Sequence, residues 1–554
     1  MPSPKFPPGL TLGPTSAACG RSVISTSAFG PGDVIAVFTD EPSPSNPDPE
    51  PVVAVPDNPN MSSTCGYCLR IGGAGEMLAC KGCHTTHYCN AACQKRDWAL
   101  VHGKRECKAF RRARDTATAA GLPPATRILP TPVRALIQVL LRPDVRDAVL
   151  RMEGHERETR TAPGTKPEDM QIQSQAALSH VGDKTTAETI RFAVGLTCRL
   201  QVNSFSRLDA DIGQGGMYVN AALAMINHSC IPNAFVQFVG RKAILHADRE
   251  IKKGEEITIT YVETTRPRAA RLHHLKTHYY FDCVCPRCKD DLDVYQVCQN
   301  YPNLELNSFS LAPDVDKLRH PPIKQFPNSS KPLQRNLAEV HELCDEPLQG
   351  DSPAGKREQL CKRWKLCAQL RKAELYAIDP LYQELVDAAV YLGDQGKFGY
   401  ALAITCFLAL KCDPYRTPMP FAGPRLKGVM MIAKLLATGP LAATVGDGGD
   451  LATRVSQALK KLDQVTICQV LLMVAIHHSP SAHSKEWRLY HEAKDLLKDL
   501  ESLPSRETET ALVDAFGRNQ GGSEERRFFN TAVLEPIRGL AGFALEIMEA
   551  EFRE

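Results

Sequence analysis

Met225-Ile226-Asn227-His228-Ser229-Cys230-Ile231-Pro232-Asn233 gathers two asparagines, a histidine, a serine and a cysteine around one proline. Its frame is apolar, Ala221 to Ile226 before it and Ala234-Phe235-Val236 after it. A buried polar group left unpaired costs about 1–3 kcal/mol, so such a cluster needs partners. Alone it reads as a turn between two core elements. Two patterns downstream alter that reading. In Gly254-Glu255-Glu256-Ile257-Thr258-Ile259-Thr260-Tyr261, Ile257, Ile259 and Tyr261 alternate with Thr258, Thr260 and Val262, the period of a strand. In Tyr279-Tyr280-Phe281-Asp282-Cys283-Val284-Cys285-Pro286-Arg287-Cys288, three cysteines in C-x-C-x2-C form call for a fourth to close a tetrahedral zinc site, and Cys230 is the natural candidate.

Upstream lies a second cysteine array. Cys65-x2-Cys68 is followed after eleven residues by Cys80-x2-Cys83, then Cys89-x3-Cys93 and His102-x4-Cys107. Seven cysteines and one histidine are enough ligands for two tetrahedral zincs. So small a unit has little core, and metal supplies its folding free energy, on the order of 10–16 kcal/mol in peptides. His84 and His87 fall outside the pattern and are expected at the surface. Ten Lys/Arg stand against four acids over residues 65–115. Few aromatic residues interleave with these charges, so a solvated face is preferred to a DNA-binding one.

The N-H-S-C-x-P-N segment, the G-E-E-I-x-I-x-Y strand and the C-x-C-x2-C tail together resemble the SET domain of lysine methyltransferases. The cysteine array, with Tyr88, Gln94 and Trp98, resembles the MYND zinc finger and narrows the likeness to the SET-and-MYND family. The match in detail covers residues 196–288 and the finger. It implies a cross-braced finger, Cys65, Cys68, Cys89 and Cys93 on one zinc and Cys80, Cys83, His102 and Cys107 on the other. The Trp98–His102 and His102–Cys107 gaps are each one residue longer than the usual form. A third structural zinc falls to Cys230, Cys283, Cys285 and Cys288. The resemblance also implies S-adenosylmethionine as cofactor, held by Gly20, Arg21, Asn203, Asn227, His228 and Phe281. Tyr261, Tyr279 and Phe205 are the implied lysine-channel residues, with the Tyr261 hydroxyl at the reacting centre. The family's G-x-G departs here: Ser22 stands at the second glycine and Cys19 replaces the basic residue before the first. Val202 replaces the cysteine usual before Asn203.

At 554 residues the chain has length for several domains, and 43% hydrophobic content supplies their cores. A formal charge of +3 argues against a general nucleic-acid or membrane coat. Met-Pro-Ser-Pro-Lys-Phe-Pro-Pro has no apolar signal core, and no run approaches the roughly 18 apolar residues of a spanning helix. An intracellular protein of nucleus or cytoplasm is expected, its 20 cysteines metal ligands and buried thiols.

The expected fold is α+β and multidomain: a β-rich SET domain split by the finger and a helical insert, a post-SET zinc site and an all-α, tetratricopeptide-like C-terminal domain. The boundaries are 1–64 for the N-terminal SET part with its linker, 65–107 for the finger and 108–195 for the insert. The SET core follows at 196–262, the post-SET region at 263–290 and the helical domain at 291–554. Strands are expected at 21–25 and 33–38, and a hairpin turning at Gly240-Arg241. Glu41 to Asn60, with seven prolines, reads as an exposed linker unable to form a central strand. Residues 291–335 read as loop-rich, with Pro302, Pro313, Pro321, Pro322 and Pro327. Helices are expected within 133–141, 356–436, 464–477, 484–501 and 530–552, and loops at 439–450 and 502–526. The finger reads as an insertion whose deletion would leave the SET fold largely intact.

The implied activity is protein-lysine N-methylation, on a histone or another protein. The alternative is a SET/MYND scaffold of weak or no activity, acting as an adaptor or transcriptional regulator, which the altered Gly20-Arg21-Ser22 favours. A protein lysine is the implied substrate, a Pro-rich peptide the implied partner of the finger, and a monomer without DNA or membrane binding is expected.

Overall fold

The computed structural model describes residues 4–14, 20–73, 75–161, 167–209, 213–301, 311, 316, 318, 320, 352–439, 441, 445, 449–482, 484–485, 487–504, 506–518 and 522–553. Cys19 and the prolines at 163, 302, 313, 321, 322 and 327 lie outside the described residues, as does most of the 291–335 stretch, whose described part carries a helix at Val294–Asn300. The chain divides into two units. One comprises Met1–Val262 with Ala269–Cys285, the other Glu263–Arg268 with Pro286–Glu554.

Short strands build the first unit in chain order: β1 (Leu10–Leu12), β2 (Val23–Ser25), β3 (Val34–Phe38), β4 (Val52–Pro56), β5 (Leu78–Ala79), β6 (His87–Tyr88), β7 (Phe205–Asp209), β8 (Gly213–Asn220), β9 (Asn227–His228), β10 (Ala234–Val239), β11 (Lys242–Ala247) and β12 (Thr258–Ile259). β11 is central between β10 and β3, all antiparallel, and the β10–β11 hairpin turns at Gly240-Arg241 as expected. β8 is central between β4 and β7. Apolar side chains from both sheets meet in one core: Val23, Ile35, Phe38, Val52, Ala54, Tyr218, Ile226, Leu245, Ile257 and Ile259 are buried together. Full burial of each larger aliphatic chain contributes about 1.5–3 kcal/mol.

The 254–261 alternation yields only a short strand. β12 pairs in parallel with β9, Thr258 opposite Asn227 and Ile259 opposite His228. That brief ladder sets the polar cluster against the tyrosine segment.

Two expectations need correction. Residues 41–60 are not all linker, because Val52-Val53-Ala54-Val55 is buried throughout and pairs with β8. The prolines permit this because β4 is an edge strand, where a missing N–H breaks no ladder. Opposite Pro56 sits Gly216, whose φ is +145°. A Cβ there would meet the Val55 carbonyl oxygen at 2.0 Å, so only glycine fits. Residues 502–526 are likewise not a loop, since Glu507–Arg518 and Ser523–Phe529 are helical and bury Val513, Phe516 and Phe529.

The helices of this unit are α1 (Ala91–Asp97), α2 (Cys107–Ala119), α3 (Thr131–Leu141), α4 (Pro143–Leu150), α5 (Glu156–Thr161), α6 (Pro167–Val181), α7 (Ala187–Asn203) and α8 (Arg268–Tyr279), the last begun in the other unit. Pro132 sits in the first turn of α3, where its missing N–H costs nothing. A π-helical segment, Trp98–Glu106, joins α1 to α2. It takes up the additional residues in the His102 spacings: the Cys107 N–H reaches back five residues to the His102 carbonyl.

The finger is not a separate module. Cys65, Met77, Cys80, Cys83, Tyr88 and Val101 share one apolar cluster with Val53 and Val55 of β4, Val133 to Leu141 of α3 and Val145 of α4. Tyr88 donates to Asp97 at 2.6 Å inside that cluster.

In the second unit, Phe398–Lys411 is buried on every face from Gly399 to Leu410 and serves as its central helix. Further helices run over Pro353–Leu366, Leu381–Asp394, Gly423–Leu436, Asp450–Lys460, Gln464–Ala482, Arg488–Glu501, Glu535–Ala541 and Ala544–Phe552. Among the described residues no helix is long and apolar enough to cross a membrane.

Deletion of residues 65–107 is therefore expected to strip the apolar face of α3 and abolish cooperative unfolding of the first unit. Circular dichroism melts of the deleted chain check this; an unchanged sharp transition would show the finger to be dispensable.

Candidate functional site

The finger's ligands converge as two sets. The ligand atoms of Cys65, Cys68, Cys89 and Cys93 lie within 4.8 Å of one another, as do those of Cys80, Cys83, His102 and Cys107. Cys68 to Cys89 is 3.7 Å, Cys89 to Cys93 3.6 Å and Cys80 to Cys107 3.8 Å, sulfur to sulfur. These exceed the roughly 2.05 Å of a disulfide. They match the edge of a tetrahedron built on Zn–S bonds of about 2.3 Å, which is about 3.8 Å. His102 Nε2 lies 3.4 Å from the Cys80 sulfur and 3.6 Å from that of Cys83. Its Nδ1 is held by Glu106 at 2.9 Å, the outer carboxylate that orients a metal-binding imidazole. The residues fit zinc, and the cross-braced pairing is the one the resemblance implied. His84 is exposed and His87 half-buried, neither within these sets.

Beside the β9–β12 ladder lies a cavity of about 760 Å³, within the usual range of ligand pockets. Gly20, Arg21, Asn203, Asn227, His228, Tyr261, Tyr279 and Phe281 all line it. Each of the six residues expected to hold the cofactor is thus present, with two of the three expected in the lysine channel. Phe205 is elsewhere: it opens β7, its ring 6.4 Å from Phe238, and packs on the same core as Tyr261.

His228 organises the site. Tyr261 N–H donates to its Nδ1 at 3.0 Å, so Nδ1 carries no proton and Nε2–H faces the Cys230 sulfur at 3.2 Å. Burial, joined by nearby Arg271, pushes its pKa down to about 4 and keeps the ring neutral, against the smaller opposing pull of Cys285. The Tyr261 hydroxyl donates to the Ile226 carbonyl at 2.5 Å. Its proton committed, the oxygen offers lone pairs. Burial, with Tyr279 beside it, raises its pKa, so it stays protonated at neutral pH. The Tyr279 ring lies 4.8 Å from Tyr261, and Phe281 lies 6.0 Å from His228.

Both asparagines present acceptors. Asn227 Nδ2 donates to the Arg21 carbonyl at 2.8 Å and to Glu256 at 2.9 Å. Asn203 Nδ2 donates to the Glu153 and Arg199 carbonyls at 2.7 and 2.8 Å. Each amide is left with its oxygen for a ligand, while the Arg21 guanidinium, 3.6 Å from the Glu153 carboxylate, stands on the same wall. A cavity with two carbonyl acceptors, a guanidinium and an aromatic side suits a ligand carrying an ammonium, a carboxylate and an aromatic base. S-adenosylmethionine fits that description.

The departure at Ser22 does not touch the cavity. Its hydroxyl donates to the Pro14 carbonyl at 2.9 Å, turned away from the lining residues. Gly20 alone needs its left-handed φ of +69°, and a Cβ there would meet nothing within 4 Å.

Cys230, Cys283 and Cys285 bring their ligand atoms within 4.8 Å of one another, the thiol of Cys230 buried. Cys288 follows three residues after Cys285, in the helical turn Pro286–Lys289, and is buried.

Met152, Glu153 and His155 also line the cavity, and sequence reasoning missed them. They follow α4 in a stretch that reads only as a loop around Gly154. His155 has φ +45° and its ring meets Tyr280, φ +60°, at 5.5 Å. Only the structure brings these two strained residues together.

A SET-domain profile matches residues 20–262. The chain is 33% identical over 236 residues to the SET domain and MYND-type zinc finger protein 6 of Schizosaccharomyces pombe, 42% of this chain and 45% of that one. It is 25% identical over 355 residues to histone-lysine N-methyltransferase ASHR1 of Arabidopsis thaliana, 59% of this chain and 65% of the relative. Against histone-lysine N-methyltransferase SMYD3 of Homo sapiens it is 26% identical over 235 residues, 41% and 51%. The chain spans about half the length of the curated relatives it matches.

Ser22→Gly, which restores the usual second glycine, is expected to cost about 1 kcal/mol through the lost hydrogen bond. Cofactor affinity should stay level. Denaturant melts with binding isotherms check both; a tenfold gain in affinity would contradict the placement of Ser22.

Proposed function

We propose that this chain, a SET-domain protein of the SET-and-MYND family, is an S-adenosylmethionine-dependent protein-lysine N-methyltransferase. The observation that carries the reading is the Tyr261 hydroxyl, fixed by the Ile226 carbonyl at 2.5 Å on the wall of a cavity whose two asparagines offer acceptor oxygens. The cofactor, when bound, supplies the methyl group from its sulfonium. Asn227, Asn203 and Arg21 would hold its amino-acid end, Gly20 would give close backbone approach, and Phe281 would lie on the side of its base.

The substrate lysine must arrive neutral, because an ammonium has no lone pair. Tyr261 and Tyr279 disfavour the charged form by desolvation. The Tyr261 oxygen would accept an N–H of the amine and so orient the amine's lone pair. Much of the acceleration then comes from alignment. Phe205, on the core shared with Tyr261, is proposed to flank the lysine's approach. The scaffold alternative loses its motive, since Ser22 points away from the cavity.

The metal reading is three structural zincs, two in the finger and one on Cys230, Cys283, Cys285 and Cys288. A protein lysine, in a histone or another protein, is the proposed substrate and a Pro-rich peptide the proposed partner of the finger. A monomer of nucleus or cytoplasm completes the reading.

Elemental analysis of purified protein should give three zincs per chain; one or none would contradict the ligand assignment.

Tyr261→Phe should keep fold, zinc and cofactor affinity while methyl transfer falls by orders of magnitude. Asn227→Ala should instead raise the KM for cofactor first. Steady-state kinetics on a lysine peptide separate them. Equal losses in kcat for both variants, with unchanged KM, would contradict the division of roles.

A further inference from the structure

Glu50, which leads from the Pro-rich stretch into β4, touches three segments that border the cavity. Arg151, just past α4, donates from Nη2 to both carboxylate oxygens of Glu50, at 2.9 and 2.7 Å. The Lys5 backbone N–H donates to the same carboxylate at 2.8 Å. The Glu50 carbonyl accepts from Asn220 Nδ2 at 3.4 Å, and the Asn220 amide oxygen takes the N–H groups of Ala222 and Leu223. Arg151 itself, Pro4 beside Lys5, and Ala221 and Ala224 beside that turn all line the cavity. The Glu50 and Arg151 side chains are 4% and 18% exposed, so salt screens their attraction little.

Arg151 also lines a second cavity of about 1150 Å³, bounded by the Pro-rich stretch and by Tyr67 and Leu100 of the finger. A long side chain with space on either side keeps its rotamer freedom unless something fixes it. Glu50 does so, and it occupies only Nη2. Nε is buried without a partner, and Nη1 makes no hydrogen bond among the described residues. Two residues on, Glu153 lies 3.6 Å from Arg21 and takes Asn203 Nδ2 on its carbonyl at 2.7 Å. Arg151 therefore stands by the wall given above to the cofactor's amino-acid end. S-adenosylmethionine has one anionic group, its carboxylate, and a guanidinium matches a carboxylate in both charge and shape.

We propose that Arg151 pairs with the carboxylate of the bound cofactor and that Glu50 is the positioning residue that holds it there. The assignment rests on the S-adenosylmethionine reading of the cavity. It adds a group that selects for the carboxylate, and it gives part of the Pro-rich stretch a task at the site.

The test is calorimetric titration of the zinc-loaded full chain with two ligands, S-adenosylmethionine and its decarboxylated analogue. The analogue keeps the adenosine, the sulfonium and the amine. Wild type should bind S-adenosylmethionine about tenfold or more tightly than the analogue. Arg151→Met should erase that preference, weakening S-adenosylmethionine while leaving the analogue level. Glu50→Gln, which keeps the shape without the charge, should shrink the preference severalfold, again with the analogue level. Should the unpaired guanidinium keep Glu50→Gln from folding, the double variant Glu50→Gln with Arg151→Met removes both charges and should behave as Arg151→Met. Equal weakening of both ligands in Arg151→Met would reveal a structural role alone and overturn the proposal. So would a wild type without preference, or a preference that the variants leave unmoved. A wild type that binds neither ligand would instead overturn the cofactor reading, and this assignment with it.

Discussion

One imidazole holds the site's three parts together. His228 takes the Tyr261 backbone N–H on one nitrogen and turns the other toward the Cys230 sulfur. A neutral ring can do both only in one tautomer, and burial keeps it neutral. The pairing of β9 with β12 brings Asn227 and Tyr261 into range, but the ring fixes their depth. Through Cys230, a cysteine set able to hold a metal becomes an outer anchor for a tyrosine that is not one of its ligands.

The same economy runs through the finger. Its cysteines join the apolar cluster of the helical insert, so the ligand sets and the hydrophobic core form one body. The buried Glu106 links them: one oxygen meets His102, and the other accepts from Gln138 of α3 at 3.1 Å. A charge in that position is tolerated because both oxygens are engaged.

Much of this was legible in the sequence because ligand spacing and strand period are local signals. The ligand residues and the hairpin at Gly240 follow from short motifs, while the cross-braced pairing and the roles of Asn227, His228 and Tyr261 follow from the family resemblance those motifs carry. What escaped depended on partners remote in sequence. Val52 to Val55 looked like part of a Pro-rich linker, because their burial needs β8, more than 150 residues on. The finger looked removable, since nothing in residues 65–107 announces that α3 will pack on it. His155 and Glu153 carry no motif, yet they line the cavity. Phe205, placed by its motif, is not among the residues lining this cavity and packs on the core it shares with Tyr261. Ser22 looked like damage to a glycine turn, but its conformation asks for no positive φ.

The central claim is that this cavity holds S-adenosylmethionine through Asn227, Asn203 and Arg21. Isothermal titration of the zinc-loaded protein with S-adenosylmethionine tests it most directly. The account predicts one saturable site per chain with micromolar affinity. Absence of binding at millimolar cofactor, in protein carrying its full zinc, would contradict it.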